Sequence, residues 1–108
     1  MSLPDPDNPL AVEIQQEMAA TYFAACRKMV DSLEALKAFD RAAGSATLDR
    51  GQKTRRSQLL DNAAERVHFV LIQREVMKLS WYEGFFEDYR VPSEVRNRLG
   101  TTQRKSGA

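Results

Sequence analysis

The chain has 108 residues, 43% of them apolar and 29% charged, with a net charge of +1. That length holds one domain and not two, and the composition is that of a folded chain rather than a disordered one. A charge this close to zero supplies no overall field to gather nucleic acid or an anionic membrane surface.

The first eight residues (MSLPDPDN) are acidic and broken by prolines, and no apolar face begins there. They read as a disordered lead-in, without the basic start and apolar stretch of a secretory signal. Asn8 followed by Pro9 is a helix start: the amide side chain accepts from open backbone N–H groups, and proline gives up an N–H that had no partner. From Pro9 to Ala43 there is no glycine or further proline. Met18, Tyr22, Cys26, Met29, Leu33 and Leu36 recur every three or four residues, which is one face of a helix. Ala19, Phe23, Val30 and Phe39 widen that face. Gly44 suits the left-handed position after a helix end.

Residues 44–52 form a connection short enough to make the next helix an antiparallel neighbour. The pattern predicts that helix from about Lys53 to Leu79. Leu60, Ala64, Val67 and Leu71 make one stripe. Phe69, Ile72, Val76 and Leu79 make a second. A helix touching one partner needs an apolar stripe only ~100° wide, and this one exceeds it. Two long helices alone leave apolar surface unburied, and such surface marks an interface. Ser80 and Glu83 have the form of a capping box for a short helix. Trp81, Tyr82, Phe85, Phe86 and Tyr89 supply five of the nine aromatics. They serve either as a plug on the hairpin or as interface anchors. Pro92 breaks this helix and opens another ending at Leu99 and Gly100, and 101–108 is a polar tail.

The expected fold is therefore all-α: a single helical domain over 9–100, built as a long antiparallel hairpin with two short C-terminal helices. Dimerisation would complete a four-helix-bundle-like core. Candidate interface residues are Phe69, Ile72, Val76, Trp81, Tyr82, Phe85 and Phe86. The expected partners are a second copy and an unidentified protein, with no membrane; nucleic-acid binding through Lys53, Arg55 and Arg56 is the weakest of the alternatives, behind a metal site.

Glu65 and His68 form the one pattern with metal chemistry, a Glu-x-x-His on a helix. In di-iron bundles such pairs supply ligands, joined by glutamates of other helices. A two-fold dimer would provide two pairs, with Glu17 or Glu34 as companions. The plainer reading is a boundary histidine, since His68 falls at the edge of its apolar stripe. Cys26 is the lone cysteine. It lies on the apolar face of the first helix, where a free thiol acts as a small hydrophobe. Lys53, Arg55 and Arg56 oppose the dipole of the helix they begin, which invites an acidic partner. No phosphate loop, nucleophile elbow or Cys/His cluster is present, so no cofactor and no catalytic residue is expected.

The segments RSQLLDNAAERVHFVLIQRE (56–75) and FFEDYRVPSEVRNRLG (85–100) resemble a family of small uncharacterised bacterial proteins, a domain of unknown function. The resemblance covers about half the chain. It implies a bacterial, cytoplasmic setting and transfers no site residue.

Overall fold

The computed structural model describes residues 8–79 and 84–99, all helix or connection and without strands. The expectations for the lead-in, the Ser80–Glu83 cap, Trp81, Tyr82 and the tail lie outside the described residues.

Helix α1 runs Pro9–Ala43. The Asn8 side chain accepts from the amides of Leu10 and Ala11 at 3.1 and 3.3 Å, as the Asn-Pro start requires. Gly44 closes the helix at φ +60°, its N–H donating to the Asp40 carbonyl at 3.0 Å. Helix α2 runs Arg50–Val76, three residues earlier at both ends than its periodicity suggests. The early start comes from a capping box. The Gln52 amide donates to Asp49 Oδ1 at 2.8 Å, and the Asp49 amide donates to Gln52 Oε1 at 2.9 Å. The early stop is a Schellman turn: the Leu79 N–H reaches the Arg74 carbonyl and the Lys78 N–H reaches that of Glu75. Lys78 takes the left-handed position at φ 60°. Glycine normally marks such a stop, so nothing in the sequence announced it.

The same turn recurs after α3, Phe85–Asp88. There Arg90 is left-handed at φ 52°, and the Val91 N–H donates to the Phe86 carbonyl at 2.8 Å. The turn redirects the chain so that Val91 is buried. Pro92 then opens α4, residues 93–99, its carbonyl accepting from Val95 and Arg96.

α1 and α2 pack as an antiparallel hairpin. Its seam is Ala25, Met29, Leu33 and Leu36 against Leu59, Leu60, Ala63, Ala64, Val67 and Val70. Phe85, Val91 and Val95 join the same core from the C-terminal segment. Each large apolar side chain sealed there contributes about 1.5–3 kcal/mol.

Arg56 ties three elements together. Its Nε and Nη2 donate to Asp40 of α1 at 2.8 and 3.1 Å, and its Nη1 and Nη2 donate to Glu94 of α4 at 2.7 and 2.9 Å. Hydrogen bonds from the guanidinium hold both carboxyls below their ordinary range. Depressed carboxylate pKa values stabilise the fold above the unfolded values of about 4, and that contribution disappears as pH falls through the folded ones. The carboxylates are roughly half exposed, so solvent screening limits the effect to on the order of 1 kcal/mol. Arg56→Ala should lower stability to urea at neutral pH, with the gap from the parent protein closing below about pH 4. A gap of equal size at neutral and acid pH would show that the ion network is not its source. A second tie joins α4 to α2: Arg98 Nη1 donates to Asp61 Oδ1 at 2.7 Å and Ser57 Oγ at 3.2 Å.

Candidate interaction surface

Every residue of a helix turns 100° from the last. On α2 this sets Phe69, Ile72 and Val76 about half a turn away from Val67 and Val70, which are wholly buried against α1. The two apolar stripes are thus on opposite sides. The C-terminal segment packs over a flank and leaves the outer stripe open: Phe69 is 43% exposed, Ile72 38% and Val76 53%, and Leu79, past the turn that ends the helix, 42%. Leu71, the last residue of the inner stripe, packs against the core. Contiguous exposed apolar patches on soluble proteins are commonly sites of contact with a partner.

The aromatic segment divides. Phe85 is sealed in the chain's own core at 1% exposure, edge-on to Phe86 with ring centres 5.7 Å apart and 4.9 Å from Tyr89. Phe86 is half-buried, with the Arg96 guanidinium carbon 4.8 Å from its ring centre. Phe85 therefore serves the fold and offers no surface, while Phe86 offers part of one. Tyr89 sits close to Cys26 and Tyr22; burial first, then the neighbouring thiol, pushes its hydroxyl pKa up. Arg74 Nη1 donates to the Tyr22 hydroxyl at 3.1 Å.

Glu65 lies exposed on the outer side of α2, and His68 is half-buried on its flank. Among the described residues no three of His, Cys, Asp and Glu gather where they would hold a metal ion. Of the basic trio, Lys53 and Arg55 are exposed and solvated, while Arg56 faces inward to its two carboxylates. Sequence reasoning missed that role. The signal was present: Arg56 precedes Leu60, Ala63 and Val67 by four, seven and eleven residues, placing it on the buried stripe.

A cleft of about 430 Å³ opens between α1 and the C-terminal turn, floored by Val30, Leu33 and Leu36 and walled by Tyr89 and Pro92. Its rim carries both charge signs, Glu34 and Asp88 beside Lys37 and Arg90. Among the described residues no helix is long and apolar enough to cross a membrane.

The chain matches no protein-family model, no curated protein and no solved structure with which it was compared.

Proposed function

We propose that this chain is a helical protein-interaction or structural module, without catalytic activity of its own, that works through the outer face of α2 and takes a second copy of itself as partner. The observation that carries this reading is the outer stripe itself. Phe69, Ile72 and Val76 remain 38–53% exposed although the C-terminal segment has already folded back onto the hairpin. Keeping three large apolar side chains in water forgoes a few kcal/mol of burial, and a partner recovers it. A bacterial, cytoplasmic setting is part of the same proposal and is supported by the family resemblance alone.

Sedimentation at micromolar concentration tests the reading. The parent protein should run as a dimer, and the double variant Phe69→Ser/Ile72→Ser should run as a monomer with unchanged helicity. A parent that stays monomeric over the whole range overturns it.

A further inference from the structure

Among the described residues thirteen apolar side chains are buried together, and ten of them belong to the hairpin. Phe85 joins them from α3. Val91 and Val95, at 6% and 0% exposure, are the two that come from beyond Arg90, and Leu99 adds a partly buried third. The division falls at one backbone joint. Helix α3 ends at Asp88 and α4 begins at residue 93, so four residues turn the chain, and Arg90 among them holds φ 52°. A residue with a Cβ is strained there. The bond from the Val91 N–H to the Phe86 carbonyl belongs to that same left-handed turn.

The ties of α4 are few and wet. Arg56 donates to Glu94, and Arg98 donates to Asp61 and Ser57. The Glu94 and Asp61 side chains are 54% and 59% exposed, and ion pairs so open to water hold weakly. Across the joint the exposed Arg96 stands over the Phe86 ring at 4.8 Å. Breaking these ties strands no charge, because Arg56 keeps both hydrogen bonds to Asp40 of α1. A helix of seven residues has no stability away from its seat. Docking and helix formation in α4 are thus one event.

We infer that α4 is a latch, opening as one unit about Arg90 while α1, α2 and α3 stay packed. Opening relaxes Arg90, melts α4 and uncovers the face of α2 that it roofs. Arg56, Ser57 and Asp61 mark that face, and Leu60 lies between them around the helix. The open chain therefore presents apolar surface beside the Arg56 cation that the closed chain hides. This surface is on the far side of α2 from Phe69, so the latch acts independently of the outer stripe.

Hydrogen exchange of the full-length chain, read residue by residue by NMR at fixed pH and increasing urea, tests this. The amides of Val95 to Leu99 should exchange at one common opening, at least ~10-fold more readily than those of Ala63 to Val70, and with a shallower urea dependence. Arg90→Gly takes the left-handed position without strain and should slow exchange in α4 about fivefold. The pair Glu94→Gln/Asp61→Asn should speed it several-fold. Exchange of α4 at the seam's rate and urea slope would mean that it leaves only when the whole chain unfolds. A graded rise toward Leu99 would mean fraying, and no slowing in Arg90→Gly would take the joint away from Arg90. Any of the three overturns the latch.

Discussion

Phe85→Ala should lower the unfolding free energy by about 3–5 kcal/mol, the cost of deleting a sealed aromatic ring and leaving a cavity behind. The ring is 1% exposed and lies against Phe86 and Tyr89. Among the described residues it is the largest fully buried side chain, and it comes from a helix of only four residues. So short a helix has no stability of its own; it persists because its phenyl ring is held. A domain of this size has roughly 5–15 kcal/mol in total, so the variant should melt at much lower urea. Urea denaturation followed by far-ultraviolet circular dichroism measures the change. A loss below about 1 kcal/mol would mean that Phe85 is not the anchor of the C-terminal segment.

Val67→Asp should be worse. Val67 has no exposed surface and sits mid-seam, flanked along α2 by the equally buried Ala63, Ala64 and Val70. The substitution removes about 2 kcal/mol of apolar burial and places a carboxylate where no donor is at hand, for a total of 4 kcal/mol or more, roughly. The pH dependence has a definite sign. A buried carboxyl has its pKa raised in the folded state, so the folded chain holds the proton more tightly than the unfolded one. Its penalty is therefore smallest below the unfolded value of about 4 and grows as pH rises above it. Relative to the parent at the same pH, the variant should recover part of its stability in acid. A deficit independent of pH would place residue 67 in contact with water.

The hairpin itself was legible in the sequence because its signals are redundant. The α1 stripe from Met18 to Leu36 repeats over six residues, all of them buried or half-buried. Asn8-Pro9 and Gly44 fix its ends by backbone chemistry that no tertiary contact overrides. The outer stripe of α2 was legible for the same reason, and its exposure follows from the width of the apolar surface. What could not be read is what periodicity does not encode. Phe23 belongs to the α1 apolar pattern yet is 68% exposed, since its angle carries it past the neighbouring helix. Leu59, Ala63 and Val70 were not placed in the core; they enter it because the buried face of α2 is turned to their side of the Leu60, Ala64 and Val67 stripe. Lys78 and Arg90 end their helices in a conformation usually left to glycine, and long basic side chains give no warning of it. The spacing of Arg56 put it on the buried stripe, but which carboxylates would meet it, Asp40 and Glu94 from distant elements, only tertiary structure decides.

The C-terminal segment also dictates an order of assembly. Its buried residues Phe85, Val91 and Val95 share one core with both long helices, and Arg56 links Glu94 to α2 and, through Asp40, to α1. Their seat exists only where the hairpin has already closed across its six-residue connection. Closing so short a loop costs little entropy, while docking the last segment spans much longer stretches of chain. During synthesis from the N-terminus, at some 5–20 residues per second, the two long helices are therefore able to zip together first. The seam's flank then stays bare until Phe85, Val91 and Val95 have been made.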